Sequence, residues 1–316
     1  MRITKQTIPA LVALTLAFAG CNQDENLPGG NTDDRVAIRV SSNIDVTDGV
    51  MKKTITRAAN DEWNRADQIG IFMLDNTGAV DDKYANIPYE TASEDGNFAP
   101  LPDGEVIYLP VDGSDRNFVA YYPYRANVSN GNTYEIDLSN QSPQEAIDFM
   151  TAGKVKGINK TAPTVNFHFR HRLCKLRLTI GVDESFTTGL SALENLKVEL
   201  TGQRTEGSYD VLTDGAMPTT KGNSNIELKT AANGETSEAI VFPSEDFNDM
   251  QLKFYVKNET TPYTWDLKNS EKATKFEEGK EYIYNITIKK TGINVTATIE
   301  NWGEGNGEGG ETGDAE

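Results

Sequence analysis

The sequence predicts an almost entirely β-stranded protein built from two β-sandwiches in tandem. Apolar and polar residues alternate with a period of two along most of the chain, as in RVAIRVS (35–41). Turn sequences such as TDG (213–215) and ANG (232–234) recur at short intervals between these runs. Only residues 144–152 and 187–196 favour a helix, and each stretch is barely long enough. Many short strands separated by turns are typical of sandwiches rather than of parallel sheets with crossover helices.

The first 20 residues have the pattern of an export signal peptide. Arg2 and Lys5 precede an apolar run over 8–19, and small residues lead to Cys21. The run is shorter than the roughly 20 apolar residues that a transmembrane helix needs. The sequence AGC (19–21) resembles a bacterial lipobox, which predicts cleavage before Cys21 and lipid attachment to this cysteine. The alternative is an ordinary signal peptide followed by a chance cysteine.

Polar segments flank the predicted sandwiches. Residues 21–33 are predicted to be a tether between the lipid and the fold. Within the tether, NQDEN (22–26) resembles the acidic tag that sends lipoproteins of some anaerobic Gram-negative bacteria to the outside of the outer membrane. At the other end, residues 303–316 are glycine-rich and acidic, with one alanine as the sole apolar residue, and are predicted to be disordered.

Twelve further strand signatures and one change of phase set the predicted domains. Within VNFHFRHRLCKL (165–176) the apolar positions change phase, which predicts one long strand that passes from one core to the next. The predicted domains are therefore 34–170 and 171–302, each of a common domain size. The strand signatures are 36–40, 69–74, 118–122, 173–182, 196–200, 208–212, 226–228, 239–242, 250–256, 263–267, 282–288 and 293–299.

Charge and cysteine content exclude some partners and bonds. The 316-residue chain has a formal net charge of −18 and no Lys/Arg block with interleaved aromatic residues. Such a surface repels phosphate backbones, so we expect no nucleic-acid partner. If Cys21 carries lipid, Cys174 is the one remaining cysteine, and no intrachain disulfide can form.

The sequence predicts no catalytic, cofactor or metal site. His168, His171 and Cys174 lie close together, but residues three apart on a strand point to opposite faces, so we expect structural roles. Cys174 as a nucleophile is the alternative to a core position among leucines. The acidic segments 74–82 and 110–117 lack the spacing of a calcium loop and are predicted to be solvated turns.

The aromatic residues leave a second class of function open. The tryptophans Trp63, Trp265 and Trp302 and the tyrosines Tyr121, Tyr122 and Tyr124 are predicted to fill sandwich cores. If they were exposed and coplanar instead, they would form a sugar-stacking platform, and the protein would be a surface-exposed glycan-binding lipoprotein. A hydrolase on a β scaffold is a third alternative, and it needs a cleft with convergent acids.

The segment TITRAAND (54–61) raises the question of proteolytic processing. It follows the first strand within a polar stretch from Asn43 to Asn60, which we expect to be an exposed and mobile loop. Proteases cut such loops, and Arg57 followed by Ala58 would suit an Arg-specific enzyme. An ordinary loop with a chance arginine is the alternative, and the residues alone leave both open.

Several motifs occur in a fixed order along nearly the whole chain. They are the lipobox, the first strand, Arg57-Ala58, WNRADQIGIFM (63–73), NFVAYYPY (117–124), DFMTA (148–152), FHFRHRLCKLRLTI (167–180), EEGKEYIYNITI (277–288) and TGINVTATIENW (291–302). Together these motifs resemble the fimbrillin-like lipoproteins, which are pilus subunits of gut and oral anaerobes.

The resemblance implies two tandem transthyretin-like β-sandwich domains and export as an outer membrane lipoprotein. It also implies removal of the first strand by an Arg-specific protease, which points to the bond between Arg57 and Ala58. The implied partners are other pilin subunits joined by strand donation, and a host or bacterial surface ligand if the subunit is adhesive. It implies no enzymatic activity and no cofactor.

Overall fold

Short strands make up most of the regular structure in the computed structural model, which describes residues 34–45, 63–130, 132–213, 219–222, 224–302 and 313–315. The strands are β1 (Val36–Ala37), β2 (Arg39–Ile44), β3 (Gln68–Leu74), β4 (Ile87–Thr91), β5 (Asn97–Pro100), β6 (Tyr108–Leu109), β7 (Arg116–Tyr122), β8 (Thr133–Asp137), β9 (Met150–Ile158), β10 (Thr164–His171), β11 (Cys174–Val182), β12 (Lys197–Thr201), β13 (Glu206–Asp210), β14 (Thr219–Lys221), β15 (Ile226–Glu227), β16 (Lys229–Thr230), β17 (Thr236–Val241), β18 (Gln251–Tyr255), β19 (Tyr263–Asp266), β20 (Lys280–Lys289), β21 (Gly292–Asn301) and β22 (Gly313–Ala315). Short 3-10 helices span Asp82–Tyr84, Ala126–Asn130, Gln144–Ala146, Gly189–Leu193 and Leu267–Asn269.

Seven strands of the first half close into a barrel. Neighbouring strands follow the order β10-β2-β5-β4-β3-β7-β9, and β9 pairs again with β10. The pairs are antiparallel with one exception: β2 and β10 run parallel. Along β10, Val165, Phe167 and Phe169 point into the barrel while the residues between them are exposed, as the period of a strand requires. The two-residue strand β1 pairs with β6 beside the barrel.

The second half is a two-layer sandwich. One sheet has the order β16-β17-β11-β20-β21-β22, and the other has the order β15-β12-β18-β19. Leu176 and Leu178 of the first sheet and Leu252 and Trp265 of the second belong to one buried cluster between the layers. Alternation along β11 therefore buries one side-chain row in this core, as the sequence predicts.

A third sheet joins the two halves. Its order is β14-β13-β8, so a strand of the first half pairs with strands of the second. A shared core lies beside it, in which the ring of Phe149 packs 4.4 Å from Tyr134 and 5.0 Å from Tyr209, measured between ring centroids. Residues from 35 onward belong to one compact unit.

The all-β prediction is confirmed, since the described part of the chain contains no α-helix. Residues 144–152, predicted to be helical, form one 3-10 turn and then enter β9, and residues 187–196 likewise hold only a 3-10 turn. No described helix is long and apolar enough to cross a membrane. The two all-β halves are consistent with the transthyretin-like arrangement that the resemblance implies, although the first half, predicted to be a sandwich, closes into a barrel.

Two predicted segments differ in detail from the structure. The single strand expected over 165–176 is two strands, β10 and β11, and the phase of burial changes at Arg172 and Leu173 between them. β10 belongs to the barrel and ends at His171, whereas β11 belongs to a sheet of the second half and begins at Cys174. Within the tail 303–316, predicted to be disordered, residues 313–315 form β22 and pair with β21. The rest of that tail lies outside the described residues.

Candidate functional site: the slot of the first strand

The first strand, β1 with β2, fills a gap between two other strands of the barrel. We call this gap the slot, and it is lined by β5, β10 and residues 96 and 107. Along one edge, Arg39–Ile44 pairs with Thr164–Phe169 of β10. Along the other edge, β2 pairs with β5, and the Ile38 amide donates to the Ile107 carbonyl at 3.1 Å. The first strand therefore satisfies backbone groups on both sides of the slot, and without it the barrel would be open.

Two aliphatic side chains of the first strand, Ile38 and Val40, fill the side of the slot that faces the barrel core, which we call its floor. Ile38 is 6% exposed and Val40 is 5% exposed, and both belong to the barrel core. Val40 lies opposite Phe98 of β5 and Val165 of β10. Burial of a side chain of this size contributes about 1.5–3 kcal/mol to stability. The pattern in RVAIRVS thus matches the slot, with Arg39 exposed.

Gly96 lies at the edge of the slot, its rim, and allows the backbone of the first strand to pass close by at Ser42. Its φ angle is +74°, and a Cβ atom placed there would lie 2.2 Å from the Ser42 carbonyl oxygen. The Ser42 amide donates to the Gly96 carbonyl at 2.7 Å. Both the left-handed backbone and the close approach require glycine, because an added Cβ would meet backbone atoms that cannot rotate away.

Trp63, which follows the predicted processing loop, packs beneath the slot. Its ring makes edge contacts with Phe98 at 5.0 Å, Phe169 at 5.1 Å and Tyr122 at 5.4 Å between centroids. The Tyr122 hydroxyl donates to Asp67 Oδ1 at 2.9 Å. Burial raises the pKa of Tyr122 and also that of Asp67, although two hydrogen bonds to the Asp67 carboxylate oppose the shift. Aromatic residues that follow the first strand in sequence therefore pack together below the slot.

The residue after β2 contacts the outer face of β10. Asp45 Oδ1 lies 3.0 Å from His168 Nδ1, and Asp45 Oδ2 lies 3.9 Å from Arg170 Nε. The Asp45 amide donates to the Phe169 carbonyl at 2.7 Å. Asn43 and Ile44, expected in the processing loop, belong to β2 instead.

The three residues considered for a metal site, His168, His171 and Cys174, do not converge. His168 is exposed, whereas His171 is buried with its Nδ1 atom 2.8 Å from Asp148 Oδ1 and its ring stacked on Trp302 at 3.9 Å. Cys174 is fully buried in the core of the second half, as predicted, and burial raises the pKa of its thiol. The Cys174 thiol donates a hydrogen bond to the Glu277 carbonyl at 3.0 Å, which is consistent with a structural role.

Five of the six aromatic residues considered for a sugar platform are buried, and the sixth, Tyr124, is partly buried against the shared core. Trp63, Trp265, Trp302, Tyr121 and Tyr122 are each at most 4% exposed. The rings of Trp63, Trp265, Tyr121 and Tyr122 make edge contacts inside the cores, and the ring of Trp302 stacks on buried His171. This confirms the predicted core role of the five buried residues, whose rings offer no exposed face for sugar stacking.

The acidic segments considered for calcium are turns held by their own side chains. Asp75 Oδ1 accepts from the Thr77 amide at 2.8 Å, and Asp112 Oδ1 accepts from the Ser114 amide at 2.9 Å. Hydrogen bonds from these neighbours lower the pKa of both carboxyls. Across the ranges that the structure describes, no three His, Cys, Asp or Glu side chains are grouped so as to hold a metal.

The predicted lipidation and processing residues, Cys21, Arg57 and Ala58, lie outside the described residues. Of the segment between Cys21 and Arg57, the structure describes residues 34–45, which include the first strand. Sequence reasoning identified the first strand but missed Gly96 and the contacts of Asp45. Ser-Glu-Asp-Gly (93–96) signals a turn, yet nothing local shows which strand passes it.

The chain is similar to several known proteins. The sequence model of a family described as fimbrillin-like matches residues 56–302. A Bacteroides uniformis protein that carries the name fimbrium subunit Fim1C is 40% identical over 316 residues, which is 99% of each chain. The crystal structure of a cell adhesion protein from the same species has a TM-score of 0.73 at 36% identity, and it covers 86% of this chain and 100% of its own. A cell adhesion protein from Bacteroides ovatus shares the fold, with a TM-score of 0.66 at 24% identity over 85% of this chain and 98% of its own.

Proposed function

Because this chain belongs to the fimbrillin-like family, we propose that it is a structural or adhesive subunit of a cell-surface pilus that assembles after its first strand is removed. One observation carries the proposal: the first strand closes the barrel, and the protein chain after residue 63 forms every other strand of that barrel. A cut within 46–62 would therefore separate one strand from an otherwise complete fold.

The proposed route begins with export as a lipoprotein. Cys21 carries the lipid and holds the precursor at the outer membrane, where lipid chains contribute about 0.8 kcal/mol per buried methylene. An Arg-specific protease then cuts between Arg57 and Ala58. The cut frees the lipidated fragment 21–57 from the body of the protein, so the mature subunit is held in the fimbria by other subunits.

Removal of the first strand creates an acceptor for another strand. The edges of β5 and β10 lose the partners of their backbone N–H and C=O groups, and the floor loses Ile38 and Val40. Exposed strand edges recruit extended segments by strand addition, with main-chain hydrogen bonds supplying affinity and alternate side chains supplying specificity. A segment of another pilin subunit would restore the backbone hydrogen bonds of β5 and β10 and would again place aliphatic side chains in the floor. Before the cut, the first strand keeps the edge covered.

The proposal assigns no catalytic role and no cofactor to the chain. The slot is built from aliphatic and aromatic residues, and the thiol of Cys174 is buried with a raised pKa, which disfavours the reactive thiolate. The partners are other pilin subunits, the outer membrane through the lipid before maturation, and a host or bacterial surface ligand if the subunit occupies an adhesive position.

The test is treatment of purified precursor with an Arg-specific protease, followed by sequencing of the new N-terminus. We expect a chain that begins Ala58-Ala59-Asn60 and forms higher oligomers, while an Arg57→Ala variant remains intact and monomeric. Cutting at Lys52 or Lys53 by a less selective enzyme serves as a comparison. Resistance of the precursor, or global unfolding after the cut, would contradict the proposal.

A further inference from the structure

A carboxylate marks the end of the first strand, and β10 holds it with two side chains. Asp45 Oδ1 lies 3.0 Å from His168 Nδ1, and Asp45 Oδ2 lies 3.9 Å from Arg170 Nε. The side chain of Asp45 is 24% exposed, whereas those of His168 and Arg170 are 57% and 53% exposed. His168 and Arg170 therefore stand on the outer face of β10 and remain in place when the first strand leaves.

Asp45 Oδ1 also accepts a hydrogen bond from Asn43 Nδ2 at 2.6 Å, a contact within the first strand itself. Asp45 borders a cavity of about 30 Å³ whose other walls are Arg170, His171, Glu278, Gly279 and Trp302. Glu278 is a second carboxylate in that wall, and it is engaged by Arg172 at 2.5 Å. Arg170, whose guanidinium is always charged, also borders this cavity and attracts an acidic group that arrives at this end of the slot.

The register of a strand in the slot is a separate problem from its affinity. A shift by one residue would turn the aliphatic side chains away from the floor, so burial of Ile38 and Val40 rejects odd shifts. A shift by two residues keeps the same faces and is not rejected by alternation. It would, however, move a carboxylate at the position of Asp45 by roughly 7 Å. In one direction the carboxylate would reach the position paired with His168 and leave Arg170, and in the other direction it would leave both residues.

We infer that His168 and Arg170 form a carboxylate clasp that sets the register of the strand occupying the slot. The occupant is an extended segment of another subunit with aliphatic residues at the positions of Ile38 and Val40 and an Asp or Glu at the position of Asp45. This inference rests on the proposed function, because it concerns the strand that replaces the first strand. Among strands whose apolar and polar residues alternate equally well, the clasp favours the strand and the register that place a carboxylate beside His168 and Arg170.

The test uses precursor cut by the Arg-specific protease and freed of the fragment 21–57. Its probe is a fluorescent peptide with the sequence DRVAIRVSSNIDV (34–46), and binding is followed by anisotropy. A second peptide carries Asp45→Asn, and a third carries Ser41→Asp with Asp45→Asn, which moves the carboxylate by four positions to the residue paired with Asn166. Protein variants are Arg170→Gln and His168→Ala, with Lys154→Gln on an exposed position of β9 as the matched loss of one positive charge.

We expect Asp45→Asn in the peptide, or Arg170→Gln or His168→Ala in the protein, to weaken binding about two- to fivefold, the range of exposed ion pairs. Once the peptide carries Asp45→Asn, Arg170→Gln in the protein should cause little further loss, because the carboxylate that Arg170 contacts is already gone. The peptide with the moved carboxylate should bind as weakly as the Asn peptide. Lys154→Gln should leave the affinity unchanged, and added salt should reduce the difference between peptides.

A second readout is the rate at which the fragment 21–57 leaves the cut precursor, which we expect to rise by the same factor in the Asp45→Asn variant. Equal binding of all three peptides would overturn the clasp and leave the slot as an acceptor. Equal losses from Lys154→Gln and Arg170→Gln would also overturn it, because they would indicate a general charge effect. Failure of every peptide to bind, with the cut protein still folded, would overturn the proposed function and the clasp together.

Discussion

Replacement of Gly96 by alanine tests whether the first strand passes as close to the slot rim as the structure shows. An alanine at φ +74° strains the backbone by about 1–2 kcal/mol. Its Cβ would also lie 2.2 Å from the Ser42 carbonyl, so the strand must move and the hydrogen bond from the Ser42 amide to the Gly96 carbonyl is weakened. Loss of that bond contributes about 1 kcal/mol more. We expect Gly96→Ala to lower the free energy of unfolding of the precursor by about 2–4 kcal/mol.

The matched control is Gly78→Ala, and the assay is urea denaturation followed by tryptophan fluorescence. Gly78 has a φ angle of +93°, and a Cβ atom added there would have no other atom within 4 Å, so this position reports backbone strain alone. We expect Gly78→Ala to destabilise by about 1 kcal/mol. The excess of Gly96→Ala over Gly78→Ala should vanish once the fragment 21–57 has been removed. Equal effects of the two substitutions in the intact precursor would refute the close approach.

Three further outcomes follow from the burial and the sequence. Ile38→Ala should lower the free energy of unfolding by about 2–4 kcal/mol and speed loss of the cut fragment, whereas exposed Arg39→Ala should change it by less than about 0.5 kcal/mol, both measured by urea denaturation. Burial raises the pKa of Tyr89 to about 12, above the unfolded value of about 10, so its contribution to stability is complete below pH 10 and is lost as the pH rises through 12. A urea midpoint that stays constant over that range would contradict this. Cys21→Ala should abolish labelling by a fatty-acid analogue, and equal labelling of the variant and the natural protein would rule out the lipid.

Much of the strand content follows from local pattern, and β10 and β20 show why. Val165, Phe167 and Phe169 alternate with polar residues, and the alternation over 282–288 is equally regular, so one face of each strand must be buried. β9 was missed because MTAGKVKGI mixes small and charged residues, and its alternation is weak. Its strand conformation depends on pairing with β7 and β10 rather than on its own residues.

The slot itself could not be predicted from the sequence. Barrel closure depends on the parallel pairing of β2 with β10, which are far apart along the chain, and alternation in each strand says nothing about its partner. The same holds for Gly96 beside Ser42 and for Asp45 beside His168. These contacts appear only when segments that are distant in sequence meet.

Hydrogen exchange of the backbone amides, compared among three states, tests the acceptor slot most directly. The states are the intact precursor, the cut protein freed of the fragment 21–57, and the oligomer that the cut protein forms. We expect the amides of β5 and β10 to lose protection in the second state and regain it in the third, while those of β20 and β21 in the second half stay protected throughout. Loss of protection across both halves after the cut, or an oligomer in which β5 and β10 stay unprotected, would contradict the account.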